Sequence, residues 1–282
     1  MSMELDLAQA FKAACIAELQ AIKPGNVHIF ADGHGMLVQD FIKSAEAVAK
    51  VIAQSNLTVG ERILNSVKVT QQSVNCNTNL GIILLCAVIV QAEVGVVSAE
   101  KEVSLQARIK SVLNRLTTQD AELAFRAIAL ANPAGLGSGE HDVHAAAQVT
   151  LLQAMQAAQH RDLIAQQYSN GFADIFDVGL SSYQAAMARW QNPSWSTTFV
   201  YLSFLATFPD SHIARKFGES TAKKIQQEAV YHLHAFEQIV NPKTYLRILM
   251  AWDADLKQRL INPGTSADLT VATLLLNACN TI

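Results

Sequence analysis

Hydrophobic residues recur along most of this chain at steps of three and four, the spacing of one face of an α-helix. The first stripe stops where Pro24 follows Lys23, because proline disfavours helical geometry in the residue before it. Its members are Leu5, Ala8, Phe11, Cys15, Leu19 and Ile22. The pattern predicts further helices over residues 41–52, 61–67, 104–116, 118–130, 141–158, 162–168, 173–190 and 197–207, and from 211 onward. No hairpin dipeptide separates alternating strands, so we predict an all-α fold.

Short polar residues that can cap free helical N–H groups mark several of the predicted helix starts. Single caps are expected at Asp40, Asp210 and Asn241, and capping-box pairs at Thr58 with Glu61 and at Thr265 with Asp268. In a capping box, Asp268 would only stabilise the start of the last helix. A catalytic role for Asp268 is the alternative, and both interpretations stay open at this point.

The stretch from Asn75 to Gly81 places side-chain amides directly before the most apolar segment of the chain, residues 82–90, which carry no charge. A polar side chain buried without a partner costs on the order of 1–3 kcal/mol. One N-cap accounts for only one of these residues, so the others need local partners or a ligand. The apolar segment is too short to span a bilayer, and we predict that it is a buried central helix.

Composition limits the classes of function that the chain can have. Its 282 residues are 50% hydrophobic and 16% charged, with a net charge of −3, which suits one large helical domain over residues 1–282. This charge gives no indication of binding to nucleic acid or to an anionic membrane surface. The four cysteines are scattered and no signal-peptide pattern is present, so we expect a reduced, cytoplasmic protein.

Polar residues that interrupt the helical pattern gather at residues 23–28, 75–81, 141–144, 210–216 and 262–268. Helix N-termini favour anions such as phosphates, and Lys23, Arg215 and Lys216 could add positive charge there. Carboxylates such as Asp142 and Asp268 could hold a metal ion or stabilise a developing cation. The combination indicates a site for a phosphorylated ligand.

A series of motifs occurs in a fixed order along the chain. They are Lys23-Pro24-Gly25-Asn26-Val27-His28, Asp40-Phe41, Asn77-Thr78-Asn79-Leu80-Gly81, Gly135-Leu136-Gly137, His141-Asp142-Val143, Ile213-Ala214-Arg215-Lys216-Phe217-Gly218 and Asn262-Pro263-Gly264-Thr265-Ser266-Ala267-Asp268. Together they resemble the signature of the triphosphoribosyl-dephospho-CoA synthase family. Each motif alone is weak, but the ordered set is specific, and the resemblance runs from Glu18 to the C-terminus.

The resemblance implies an all-helical transferase that uses ATP as a substrate. The 2′-hydroxyl of 3′-dephospho-CoA attacks C1′ of ATP, adenine leaves, and the 5-triphosphoribosyl group is transferred. The product is the precursor of the prosthetic group of citrate lyase or malonate decarboxylase acyl carrier protein. Such a reaction needs a carboxylate near C1′ and a proton donor near the leaving base, and the triphosphate needs Mg²⁺ and cationic side chains.

The resemblance also implies roles for particular residues. Asp142 and Asp268 are expected to be catalytic and to bind the metal. The residues expected to bind the nucleotide are Lys23, Gly25, Asn26, His28, Asn77, Asn79, His141, Arg215 and Lys216. Among them, the lysines and the arginine would contact phosphates, and Asn77 and Asn79 would bind nucleotide hydroxyls or the base.

Other interpretations stay open. His34-Gly35-Met36 lacks an Asp-Met pair that is common in the family, so the acceptor could differ, for example in tetrahydromethanopterin-type cofactor synthesis. A catalytically inactive helical scaffold that binds nucleotide is a further alternative. Arg215 and Lys216 could lie on a solvated helix face, and the aromatic residues from Phe172 to Trp195 are expected in the core rather than against a base. A homodimer is compatible with the sequence.

Overall fold

The computed structural model describes residues 3–94, 103–132 and 146–280, which form fourteen α-helices and no β-sheet within these ranges. The helices are α1 Met3–Gln20, α2 Val38–Ile52, α3 Val59–Val74, α4 Leu80–Glu93, α5 Leu105–Asn114, α6 Thr118–Ala131, α7 Leu151–Ala158, α8 Leu163–Asn170, α9 Ser181–Trp190, α10 Pro193–Thr207, α11 Ser211–Phe217, α12 Glu219–Glu237, α13 Leu246–Gln258 and α14 Gly264–Cys279. A π-helical segment, Ile175–Leu180, leads into α9, and a 3₁₀ turn, Pro242–Tyr245, leads into α13. The predicted all-α fold is confirmed.

Helix α4 forms the centre of the larger hydrophobic core. Every residue from Ile82 to Val90 is buried, as expected for a helix that is apolar on all sides. It packs against α3, α5 and α14, and α14 in turn packs against α1 and α10. The prediction of a buried central apolar helix is therefore confirmed.

A second hydrophobic cluster lies among α10, α12 and α13, where Trp190, Trp195 and Phe199 surround Phe236 with ring centroids 5.0–6.3 Å apart. Phe199 and Phe236 belong to this cluster, and Trp190 and Trp195 are partly buried against it, as predicted for the aromatic residues from Phe172 to Trp195. Ala267 of α14 belongs to this cluster, whereas Leu269 belongs to the core around α4. The first turns of α14 thus lie where the two clusters meet.

Most predicted caps are found, but two are wrong. Thr58 and Glu61 form a capping box, and Asp210 caps α11. Asp40 is not the N-cap of α2, because the helix already begins at Val38. It lies at the third helical position, where its carboxylate accepts a hydrogen bond from the N–H of Leu37, the N-cap residue.

Thr265 and Asp268 do not form a capping box either. Helix α14 begins at Gly264, so both residues lie inside it. The Thr265 hydroxyl instead accepts a hydrogen bond from the His212 N–H, at 3.2 Å, and lies 3.0 Å from the Ser211 hydroxyl. The capping-box interpretation of Asp268 is therefore wrong, and its carboxyl does not cap α14.

Helix α7 begins later than predicted. Residues 146–150 are not helical, and Thr150 caps the helix through the N–H of Gln153, so a continuous helix over residues 141–158 is wrong.

The glycine-rich loop after Asn132, with Gly135 and Gly137, lies outside the described residues. Within the described ranges, no helix has both the length and the hydropathy required to cross a membrane.

Candidate active site

A cavity of about 580 Å³ lies at the junction of the two hydrophobic clusters. Its polar wall includes Asn26, Asn77, Asn79, His212, Arg215 and Asp268, and its apolar wall includes Leu84, Phe125, Ile128, Met155 and Ile164. The residues come from segments far apart in sequence, so only the tertiary fold assembles them. A mainly apolar pocket with a few convergent polar groups is the usual form of a small-molecule site.

The turn from Asn77 to Asn79 forms one edge of the cavity. Asn77 Oδ1 accepts a hydrogen bond from the Leu80 N–H at 3.2 Å, so it caps α4 although Asn79 occupies the N-cap position. Asn79 Oδ1 accepts a hydrogen bond from Thr70 at 3.1 Å. Both amides use their oxygen atoms, and neither NH₂ group has a protein partner among the described residues. Two hydrogen-bond donors are therefore available to a ligand.

The loop after α1 lies against the same cavity, but its lysine does not reach the cavity wall. Lys23 is fully buried, and its ammonium contacts Glu18 Oε1 and donates to Asn26 Oδ1 at 3.0 Å. Asn26 Nδ2 donates to Asn262 Oδ1 at 2.7 Å. Glu18, Asn26 and Asn262 all line the cavity, so the polar groups that the loop presents there are these three side chains.

Gly25 and His28 lie in this loop on the side away from the cavity. Gly25 has a φ of +84°, and a Cβ atom there would lie 2.9 Å from Pro263 Cδ. Its N–H donates to Asp253 Oδ1 at 2.9 Å. His28 is fully buried, with Nε2 3.3 Å from Asp253 Oδ2, and burial lowers the pKa of its imidazole. Neither residue lines the cavity, so each shapes the loop rather than facing a ligand.

Asp210 joins the starts of α11 and α14. Its Oδ1 atom accepts hydrogen bonds from the N–H groups of His212 and Ile213, at 2.9 and 3.1 Å. Its Oδ2 atom accepts from the N–H and the hydroxyl of Ser266, at 2.8 and 2.9 Å. This buried carboxylate therefore fixes the relative position of the two helices that carry Arg215 and Asp268.

Arg215 supplies positive charge to the cavity wall. Its guanidinium pairs with Asp162, whose other oxygen caps α8. Its Nε atom is buried and has no partner among the described residues. Lys216 differs from Arg215, because it is exposed, lies over the Phe217 ring at 5.2 Å and does not line the cavity.

Asp268 projects from the second turn of α14 into the cavity, beside the first turn of α4. A Cβ atom at residue 81 would lie 2.1 Å from Asp268 Oδ2, so only glycine fits opposite this carboxyl. No described residue forms a hydrogen bond or ion pair with Asp268. Burial raises the pKa of Asp268 well above its usual value, and the nearby carboxylates of Asp210 and Glu18 raise it further. Such a carboxyl is a candidate proton donor.

Asp268→Asn is expected to stabilise the protein at neutral pH. The folded-state pKa of Asp268 lies above its ordinary value of 3.8, so the stability that its neutral form contributes is full below that value. This stability is lost as the pH rises through the folded-state pKa. Asparagine has no such loss, so the variant's advantage in thermal unfolding temperature should grow from about pH 4 to pH 8. A pH-independent difference between the two proteins would contradict this expectation.

His212 also lines the cavity, and the sequence motifs did not single it out among its charged neighbours Arg215 and Lys216. Burial lowers the pKa of the His212 imidazole, and those two cations lower it further. The ring is therefore neutral near pH 7 and able to accept a proton. Its position two residues after the cap Asp210, in the first turn of α11, was the signal that could have identified it.

Asp142 and His141 lie outside the described residues, so their expected roles stay predictions. Among the residues that the structure does describe, no group of three or more His, Cys, Asp or Glu side chains is arranged to hold a metal ion. Mg²⁺ usually combines one or two carboxylates with substrate phosphates and water. At the cavity wall, Asp162 is paired and the raised pKa of Asp268 favours its neutral form. The metal role expected of Asp268, like that of Asp142, therefore stays a prediction.

Comparisons with known proteins identify the fold and the family of the chain. No curated protein sequence is significantly similar to the chain. A crystal structure from Archaeoglobus fulgidus, of a protein provisionally assigned as a triphosphoribosyl-dephospho-CoA synthase, has the same fold, with a TM-score of 0.62 and 21% sequence identity over 85% of this chain and 97% of that one. The sequence profile of the ATP:dephospho-CoA triphosphoribosyl transferases matches residues 4–282, so this chain belongs to that family.

Proposed function

We propose that the triphosphoribosyl transfer of this family takes place in the cavity beside Asp268. The 5-triphosphoribosyl group of ATP passes to the 2′-hydroxyl of 3′-dephospho-CoA, and adenine is released. The observation that carries the assignment is the unpaired Asp268 carboxyl, which shares one cavity with the Arg215 cation and with free amide donors. A nucleobase leaves more easily when a neutral acid protonates it and nearby hydrogen-bond donors hold the polar substrate in place.

The bond changes require one side chain that donates a proton and another that accepts one. A bond forms between the acceptor O2′ and C1′ of ATP, and the bond from C1′ to N9 of adenine breaks. Neutral Asp268 donates a proton to the leaving adenine, and neutral His212 accepts the proton of the attacking hydroxyl. Charge is thereby balanced without free hydroxide or hydronium ion, and general acid–base catalysis of this kind contributes about 10²–10⁴-fold to a rate.

The remaining groups position the substrates. Arg215 supplies the positive charge for the triphosphate, and the NH₂ groups of Asn77 and Asn79 donate to nucleotide hydroxyls or to the base. The apolar wall that contains Phe125 and Met155 offers the adenine ring a surface without charge. Mg²⁺ would bind with the triphosphate and neutralise part of its charge. Asp142 stays its predicted protein ligand.

Release of adenine tests the function directly. Purified protein incubated with ATP, Mg²⁺ and dephospho-CoA is expected to give equal amounts of free adenine and triphosphoribosyl-dephospho-CoA, measured by chromatography and mass spectrometry. A 2′-deoxy analogue of the acceptor is the matched control and should give no product. Adenine without consumption of dephospho-CoA would indicate another acceptor, and ADP with phosphate would indicate a kinase or hydrolase. ATP binding without turnover would indicate a scaffold.

Two further expectations accompany this function. A cytoplasmic location agrees with the four free cysteines of the structure, of which Cys15, Cys86 and Cys279 are buried. A homodimer stays a proposal, and the mass of the purified protein in solution would decide it. Neither property is needed for the cavity, since every group in the proposed mechanism belongs to one chain.

A further inference from the structure

We infer that Lys23 is a positioning residue that holds Glu18 and Asn26 in the cavity wall, and that it does not bind the phosphates of the substrate. This inference rests on the proposed function, because it assigns Lys23 a role within the same site. It differs from the role that the family resemblance implies for this lysine.

The position of the ammonium carries the first part of the inference. The lysine side chain is 1% exposed, whereas lysine side chains are rarely buried completely. Lys23 itself does not line the cavity. Two of the donors on its ammonium are directed at Glu18 Oε1 and Asn26 Oδ1. The third donor is buried with the rest of the side chain, so a phosphate in the cavity reaches Nζ only if the cavity wall rearranges.

The partners of Lys23 carry the second part. Glu18 lies in the last turn of α1, Asn26 in the following loop, and Asn262 just before α14, and all three line the cavity. Lys23 contacts Glu18 and Asn26 directly, and Asn26 donates to Asn262. One buried ammonium therefore orients groups from separate segments. Desolvation makes a buried ion pair weak evidence for stability, so a role in orientation accounts better for its presence.

Glu18 gains a function from this arrangement. Its Oε1 atom contacts Lys23, and Oε2 has no hydrogen bond to any described residue. A carboxylate oxygen in a cavity wall accepts hydrogen bonds from hydroxyl groups. The geometry thus makes Glu18 an acceptor for a hydroxyl of the bound substrates, held in place by Lys23. An incorrect position of such a group is expected to slow the reaction more than it weakens the binding of phosphates.

The test separates the two roles of Lys23 by comparing ATP with AMP. The dissociation constants of both nucleotides are measured by calorimetry for the wild type and for Lys23→Met. The ratio of the AMP constant to the ATP constant should stay within about threefold of the wild type, whereas kcat for adenine release should fall by about 100-fold. Arg215→Met is the positive comparison, and it should lower the ratio by about tenfold. A similar fall in Lys23→Met would overturn the inference.

Lys12→Met is the matched control, because Lys12 lies on α1, the helix that carries Glu18, and pairs with Glu46 at the surface, 2.8 Å away. It should change neither the ratio nor kcat. The nucleotide ratio does not depend on turnover, so it decides the role of Lys23 even if the wild type releases no adenine. In that case the proposed function would fail separately.

A double substitution keeps the inference testable if Lys23→Met leaves Glu18 buried without a partner and the protein does not fold. Lys23→Met with Glu18→Gln removes both charges together, which buried pairs tolerate better than loss of one partner. If Lys23 acts through Glu18, the double variant should be as slow as Glu18→Gln alone, with an unchanged nucleotide ratio. Multiplicative losses of kcat would show independent roles and would overturn the inference.

Discussion

Asp268→Asn is expected to lower kcat for adenine release by about 10³-fold, within the range of acid–base groups. Asparagine keeps the size of the side chain opposite Gly81 but cannot donate a proton to the leaving base. The affinity for ATP should change by less than about threefold, because no positive charge is removed from the cavity. Both quantities are measured on the purified variant, by chromatography of adenine and by calorimetry with ATP.

Asp255→Asn provides the control for this experiment, since Asp255 lies on the surface and pairs with Arg259 at 2.7 Å. It should retain the wild-type rate. An Asp268→Asn protein that is folded and turns over within about threefold of the wild type would remove Asp268 from the reaction centre. Because the same substitution is expected to stabilise the fold at neutral pH, the two results together would show that this carboxyl is retained at a cost in stability.

Asp210→Ala is expected to lower the free energy of unfolding by about 3–5 kcal/mol, because several donors bond to this carboxylate and each buried donor left without an acceptor costs about 1–3 kcal/mol. The carboxylate is fully buried, and alanine leaves the N–H groups of Ile213 and Ser266 without an acceptor. The His212 N–H loses the shorter of its two hydrogen bonds and keeps only the one to the Thr265 hydroxyl. The starts of α11 and α14 would then be free to separate. Urea unfolding followed by circular dichroism measures the change.

The corresponding exposed substitution, Asp255→Ala, should cost less than about 1 kcal/mol. An Asp210→Ala loss of the same size would show that water or other side chains replace the missing acceptor. Asp210→Asn should have an intermediate effect on stability. Its amide keeps one oxygen acceptor, but the NH₂ group that replaces the other oxygen would face the N–H and hydroxyl donors that bond to Asp210. Its stability should therefore fall between those of the wild type and the alanine variant.

Local patterns predicted many of the helix boundaries, because the interactions that set them lie within a few residues. The capping box of Thr58 and Glu61 and the cap at Asp210 depend on side chains that reach the next turn of the backbone. Asp40 was assigned wrongly because the same carboxylate can serve at the N-cap or three residues later. The sequence contained the correct residue in that case, but not its position relative to the helix start.

The cavity depends on contacts that no local pattern describes. The ordered motifs predicted that Asn26, Asn77, Asn79, Arg215 and Asp268 would share a site, and each lines the cavity. They did not show that Arg215 lines the cavity whereas its neighbour Lys216 faces solvent. They also predicted a phosphate contact for Lys23, whose side chain is buried away from the cavity. They also left out Glu18 and His212, because a single carboxylate or imidazole in a helix has no distinctive local pattern.

The sequence by itself determined the helical architecture, the buried position of α4 and the family, because periodicity, apolar composition and ordered motifs are properties of the chain alone. The tertiary structure decided which polar groups remain free for a ligand. Burial and pairing depend on segments that meet only after folding: Lys23 is occupied by Glu18 and Asn26, whereas Asp268, opposite Gly81, has no described partner. Whether a charge faces a substrate or another residue is therefore set by packing between distant helices.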